Sequence, residues 1–249
     1  MDRLDAAAIV LPGVEVRVVE RCGSTNDLLL KKIPENPVLI AAEEQTAGRG
    51  RRGRRWHSAP GAGVTFSLGR RVERPARELA ALSLVAGVAV ARALHALGVH
   101  AARLKWPNDL VVDGAKLGGI LVETRNTNHA VIGIGLNCRR TPALEIKVRR
   151  KLAFLDDFSS IKRSQVIQCV GLALIEAVDQ FEKHGLDALR GEWETMDAHA
   201  GQRLRVRLAD GRTLSGIAAG LGTDGSLQLH TRQGMRAVTS GRVVSARAA

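Results

Sequence analysis

The chain has 249 residues and a mass of 26.7 kDa, room for one large domain or a medium domain with a small appendage. Apolar residues make up 45% and charged residues 25%, a globular balance that excludes a fibrous or disordered chain. Net charge is +12, from 37 basic and 25 acidic residues, which suits nucleic acid, nucleotide phosphates or an acidic protein partner; a genome that favours Arg throughout produces the same excess.

The longest near-apolar run, Leu79 to Ala91, has 13 residues, against about 20 needed to cross a bilayer. The opening MDRLDAAAIVLPG carries acid on both sides of Arg3 and does not read as a secretory signal. Cys22, Cys138 and Cys169 are widely spaced and odd in number, against a disulfide framework or a zinc site. The expectation is a soluble cytoplasmic protein without a dedicated metal site.

In chain order, Leu39 to Gln45 predicts a short strand that runs into TAGRGRRGRRWHSAPGAG, a loop with five Arg between Arg49 and Arg55. Val64 to Leu68 is extended. Arg77 to Leu97, after Pro75 and before Gly98, predicts a buried helix. A β meander follows: Arg103 to Trp106, a turn at Pro107 to Asp109, Leu110 to Val112, the hairpin signal Asp113-Gly114, and Leu117 to Glu123. After a turn at Asn126 to Asn128 comes a strand over Ala130 to Leu136. Arg139 to Ser160 has no clear period and is expected to be a mobile loop with some helix. Val166, Ile167, Val170, Leu174, Ala177, Val178 and Phe181 place an amphipathic helix over Gln165 to His184, with a shorter one over Leu186 to Thr195. From Gly201 the pattern is short strands only, and eight Arg against two Asp give this stretch half of the surplus charge. The order predicts an α+β fold, a mixed-sheet domain over 1–199 and a small β domain over 200–249 that leans on it.

GRGRRG at Gly48 to Gly53 fits the spacing of a dinucleotide fingerprint, but RRWHSAPGAG cannot open the helix that fingerprint requires. Two readings of the loop stand level on its own residues. Glycines and guanidinium forks can grip phosphate or carboxylate oxygens, or the tract can bind RNA without sequence preference. The hairpin tips the balance. Lys105-Trp106-Pro107-Asn108-Asp109 surrounds a tight turn, and Lys116 opens the otherwise apolar strand LGGILVE, whose glycines signal a bulge or a close approach. Gly133 to Asn137 repeats the small-residue theme. Ser24, Thr25 and Asn26 precede an apolar run, where Ser24 or Thr25 also fits a helix N-cap.

Together, STN at Ser24 to Asn26, QTAGRGRRGRRWHS at Gln45 to Ser58, KWPNDL at Lys105 to Leu110, KLGGILVE at Lys116 to Glu123 and GIGLN at Gly133 to Asn137 resemble the biotin protein ligase family. The resemblance implies a biotin/lipoate-ligase catalytic domain with a C-terminal SH3-like β-barrel. It implies activation of biotin by ATP to biotinyl-5′-AMP, then transfer to a lysine of the biotin carboxyl carrier protein. A lipoate-type ligase and a nonenzymatic RNA-binding protein are the alternatives. Few residues precede the catalytic motifs, so no DNA-binding domain is expected; homodimerisation through the hairpin strands is the oligomer the family suggests.

Carried over by motif, Ser24, Thr25, Asn26 and Gln45 are expected at the ureido end of biotin, and Gly48, Arg49, Gly50 and Arg51 around its chain and carboxylate. Arg51, Arg54 and Trp56 are expected at the nucleotide, and Lys116 between the biotin carboxylate and the α-phosphate. Asn137 is expected to read adenine or support its loop, and Asp109 to orient the incoming amine. Mg²⁺ is expected to arrive with the ATP phosphates. The family's C-terminal stretch carries acid near the adenylation site where Ser240 to Arg247 is basic, so Arg242 is given no role and Arg247 a weak one.

Overall fold

The computed structural model describes residues 2–32, 34–125, 128–141, 148 and 151–248. Seven strands form one mixed sheet: β1 (Glu15–Cys22), β2 (Val38–Gln45), β3 (Gly63–Arg71), β4 (Arg103–Lys105), β5 (Asp109–Val112), β6 (Ala115–Arg125) and β7 (His129–Asn137). Their order is β1-β2-β3-β7-β6-β5-β4, with only the β1–β2 pair parallel.

Period-two alternation gives this sheet two different faces. Leu39 and Ala41 of β2, Phe66 and Leu68 of β3, and Ile132, Ile134 and Leu136 of β7 enter the main core. That face is covered by α2 (Leu82–Ala96) and α3 (Arg163–His184), which pack on each other, with α4 (Asp187–Thr195) against both. On the other face, Val38, Ile40 and Val131 join Leu29 in a small cluster under α1 (Thr25–Lys31). Beside α1 this face carries Ser67, Gly133 and Gly135 in place of large apolar groups, and the depression they leave positions the site.

The expected buried helix opens at Ala76–Ala81 as a 3₁₀ turn before α2 begins. Pro75 supplies no side-chain cap, and i→i+3 bonding of the first turn satisfies groups that a cap would otherwise hold. The span Ala76–Ala96 is long and apolar enough to cross a membrane, yet most of it is buried inside the fold as the central core helix. Asp113 and Gly114 both have positive φ, 48° and 74°, as the β5–β6 hairpin requires. Residues 126 and 127 of the expected turn lie outside the described residues. So do 142–147, 149 and 150 of the stretch expected as a loop, which beyond them bridges Leu152 to Lys116 and makes a 3₁₀ turn at Leu155–Asp157.

The C-terminal strands β8 (Arg203–Leu208), β9 (Thr213–Leu221), β10 (Leu227–Thr231), β11 (Gly234–Val238) and β12 (Gly241–Arg247) form a second, antiparallel sheet ordered β11-β10-β9-β8-β12. Bulges interrupt it between Leu227 and Leu229 and between Val243 and Ser245. It is tied to the rest of the fold by Trp106, just after β4, whose Nε1 donates to Gly225 O at 3.2 Å, and by Leu221 N, which donates to Glu194 Oε1 of α4 at 2.9 Å.

At the N-terminus, Arg163 is buried to 1% exposure and paired with Glu43 at 2.8 Å and Asp2 at 3.7 Å. It pins the start of α3 and the N-terminal segment to β2.

Candidate functional site

A cavity of about 320 Å³ opens on the α1 face of the large sheet. One end is uncharged. Ser24, Thr25 and Asn26 are each 3% exposed and line it with Gln45. Ser24 holds the N-cap position but its side chain makes no capping bond, so the hydroxyl belongs to the cavity rather than to the helix end. Thr25 N donates to Gln45 Oε1 at 2.7 Å, Thr25 and Ser67 hydroxyls meet at 2.6 Å, and Ser67 Oγ donates to Asn26 Oδ1 at 2.5 Å. Asn26 reaches β7 because Gly133 has no Cβ to obstruct its amide.

The other end is cationic. Five loop arginines, Arg49, Arg51, Arg52, Arg54 and Arg55, line the cavity with Lys105, Lys116 and Arg242, against one carboxylate, Asp109, among the described lining residues. Lys116 and Asp109 form an ion pair across β5 and β6. Lys116 Nζ lies 5.8 Å from the centre of the Trp56 ring. Burial and the neighbouring Arg52 pull the Arg51 guanidinium below its ordinary pKa, with Asp109 opposing. A guanidinium so placed is stabilised by a bound anion.

The loop expected to lack regular structure closes as a hairpin. Arg49 bridges Arg55, Gly50 N donates to Arg54 O at 2.7 Å, and Trp56 N donates to Gly48 O at 2.9 Å. Arg52 takes a left-handed φ of 58° and its Nη2 donates to Ser240 Oγ at 3.1 Å, so the loop also touches the C-terminal sheet. Trp56 lies against Gly135, where a Cβ would stand 2.6 Å from Cζ2.

The cavity therefore gathers Ser24, Thr25, Asn26, Gln45, Arg49, Gly50, Arg51, Arg54, Trp56, Asp109 and Lys116. Two expected residues do not line it. Gly48 shapes the loop: a Cβ there would meet Trp56 O at 2.6 Å. Asn137 is buried to 5%, and its amide donates to Lys116 O at 3.0 Å and Ala153 O at 3.2 Å. Both amide hydrogens are thus used to support the 151–153 segment, which is the second of its two expected roles. Arg242, given no role from the sequence, is in the wall, as is the rest of Gly241–Val244. Glu123, Ser67 and Arg52 were also missed. Glu123 follows the apolar run 120–122 within β6 and Ser67 interrupts the apolar β3, which is the available signal. The three cysteines are free and burial raises each thiol's pKa, Cys138 to about 12, so none is set up as a nucleophile.

Among the described residues, no group of three or more His, Cys, Asp or Glu could hold a metal ion. The site is built for a ligand with a neutral hydrogen-bonding head and an anionic end meeting a polyanion.

The Biotin/lipoate A/B protein ligase family matches residues 18–137, and the biotin protein ligase C-terminal domain matches residues 199–244. The bifunctional ligase/repressor BirA of Escherichia coli is 34% identical over 226 residues, covering 88% of this chain and 70% of its own. The biotin--[acetyl-CoA-carboxylase] ligase of Mycobacterium tuberculosis is 32% identical over 243 residues, covering 94% and 90%. Among solved structures, the biotin protein ligase from Aquifex aeolicus in complex with biotin and ATP superimposes with a TM-score of 0.79 at 25% identity, covering 94% of this chain and 99% of that one. Fold and site thus define a cofactor–protein ligase of the biotin/lipoate type. Within that class, the chain belongs to the biotin protein ligase family.

Proposed function

We propose that the chain activates biotin with ATP as biotinyl-5′-AMP and transfers the biotinyl group to a lysine of a biotin carboxyl carrier protein. The observation that carries this is one cavity joining the neutral Ser24–Thr25–Asn26–Gln45 end to the cationic Arg51–Arg54–Lys116 end. A ureido group needs donors and an acceptor together, and the hydroxyls and amides of the first end supply both. The valeryl chain then brings its carboxylate to the second.

The difficulty of the first step is that a carboxylate must attack a phosphate. In this reading Lys116, which lines the cavity, bridges both oxygen sets; its pairing with Asp109 supports the assignment, because an ammonium already fixed needs little reorganisation as charge builds on the α-phosphate. Arg51 and Arg54 add guanidinium forks to the same anion, and closure of the loop with Trp56 over bound substrate is the step that keeps water from the mixed anhydride in this reading. In the second step the amine attacks the acyl carbon and AMP leaves; Asp109 is the carboxylate placed to orient that amine. Asn137 holds the backbone of Lys116 and Ala153.

Mg²⁺ enters this reading as part of the ATP substrate. The reading also contains a cytoplasmic location, a catalytic unit over 1–199, an SH3-like unit over 200–249 and a homodimer through the hairpin strands. β5 pairs with residues 115–119 of β6 and Asn108 holds Ile120, which leaves the 121–125 edge without a strand partner on that side among the described residues and supports such a contact. The lipoate and RNA-binding alternatives are not favoured, because the relatives described above are biotin ligases.

Incubation with α-labelled ATP and either biotin or lipoate tests the proposal. Labelled adenylate is expected with biotin alone; adenylate with lipoate alone, or with neither, overturns it.

A further inference from the structure

Glu123 stands outside the cavity lining, yet it touches both parts that must act together. Its Oε2 accepts from Asn26 Nδ2 at 2.8 Å and from Arg49 Nη2 at 2.8 Å. The same Arg49 nitrogen is 2.6 Å from Asp27 Oδ1 on α1. One carboxylate therefore joins the floor of the pocket to the arginine loop that covers it.

We infer that Glu123 is a positioning residue that couples loop closure to the hydrogen-bond polarity offered to the ureido end of biotin, an inference that rests on the biotin reading above. An ionised carboxylate only accepts, so Asn26 must turn its NH₂ toward Glu123 and its Oδ1 toward Ser67. Ser67 spends its single proton on that oxygen at 2.5 Å and can then only accept from Thr25 at 2.6 Å. This shorter contact takes the Thr25 proton in preference to Gln45 Oε1 at 3.2 Å. Thr25 is left offering lone pairs to a ureido N–H, while Gln45, its Oε1 held by Thr25 N, offers its NH₂ to the ureido oxygen. Replacing the carboxylate by an amide leaves only the longer bond from Asn26 Nδ2 to Leu121 O at 3.3 Å to set the orientation, so the amide turns over and reverses the chain in part of the molecules. It also removes one of the two carboxylate charges that hold Arg49 down, leaving Asp27 alone. Asn26 is buried, so a wrong polarity cannot be corrected by water.

The test uses Glu123→Gln, which keeps the shape, and Arg49→Gln, which breaks the same contact from the half-exposed loop. Each single variant is expected to raise KM for biotin in ATP–pyrophosphate exchange by about tenfold, while kcat at saturating biotin changes by less than about threefold. The double variant is expected to lose no more than about twofold beyond the worse single one, because both remove one linkage. Without any ligand, trypsin is expected to cut the 49–55 loop several-fold faster in Glu123→Gln than in the wild type. Additive losses, or a KM within about twofold of wild type, or unchanged cleavage, overturn the coupling. Cleavage needs no biotin, so it judges the linkage even if the wild type shows no biotin-dependent exchange, the outcome that would overturn the biotin reading instead.

Discussion

The ammonium of Lys116 lies across Gly119, where a Cβ would come within 2.9 Å of Nζ. The glycine is the space that lets the cation fold back onto Asp109 and face the cavity, and this relationship yields the first prediction. Lys116→Ala removes charge needed mainly as the α-phosphate is attacked, so exchange should fall by at least about 100-fold while biotin affinity changes only a few-fold. Gly119→Ala displaces the ammonium without deleting it and should give the same pattern more mildly, about tenfold. Rates of exchange set beside biotin titrations check both; normal pyrophosphate release by Lys116→Ala contradicts the assigned role.

Arg51 is half-buried in a cation-rich setting and is the loop guanidinium most in need of an anion. Arg51→Gly removes a fork from the acyl phosphate and loosens the covering loop. Free biotinyl-AMP should escape and acylate bystander lysines. Mass spectrometry of a mixture of carrier and unrelated protein reads this directly, and labelling confined to the carrier contradicts it.

A third prediction concerns pH. Burial pushes the Asp197 carboxyl up to about 6, with the His199 N–H opposing and Glu194 adding to the rise. Burial, with Lys105, pulls His199 down to about 4. The raised Asp197 value means that its protonated form is favoured on folding, so this contribution is full below its unfolded pKa of 3.8 and lost as pH rises through about 6. His199 acts oppositely, favouring the neutral folded form above 6.5 and losing that contribution as pH falls toward 4. Asp197→Asn keeps the oxygen that accepts from His199 N and removes only the buried charge. It should stabilise the protein by on the order of 1–2 kcal/mol near pH 7.5 and by nothing near pH 4. Denaturant melts across that range check it; an equal gain at both ends contradicts it.

The fourth concerns the buried Arg163–Glu43 pair. Arg163→Ala leaves Glu43, itself 8% exposed, without its guanidinium partner, and should cost about 3–5 kcal/mol. Glu43→Gln added to it should recover part of that loss. Chemical denaturation of both variants distinguishes an uncompensated charge from simple loss of packing, which the second substitution would not repair.

Much of the fold is legible where local chemistry leaves one choice. Asp113-Gly114 demands two positive φ values, and the glycines of β6 and β7 announce close approach before any partner is known. Strand β1 is a different case. Val14, Val16 and Val18 alternate with Glu15 and Arg17 and pack on the core, but no residue in Glu15–Cys22 is fully buried and Glu20-Arg21 breaks the short rhythm on an edge strand. The site divides the same way. Residues that must themselves contact a ligand, such as Lys116 and Gln45, are carried by motifs. Glu123 and Ser67 act through Asn26, 97 and 41 positions away, and only the sheet register brings them to it. Asn137 shows the converse, since a motif places it near the nucleotide while its burial turns the amide to the backbone.

The central claim is that fixed cations let an acid attack a phosphate. ATP–pyrophosphate exchange with biotin and with biotin amide, which keeps the ureido head and lacks the carboxylate, measures it most directly. Exchange with biotin, none with the amide, and none with biotin in Lys116→Ala is the expected result. Exchange that proceeds equally with the amide, or survives in Lys116→Ala, would contradict the account.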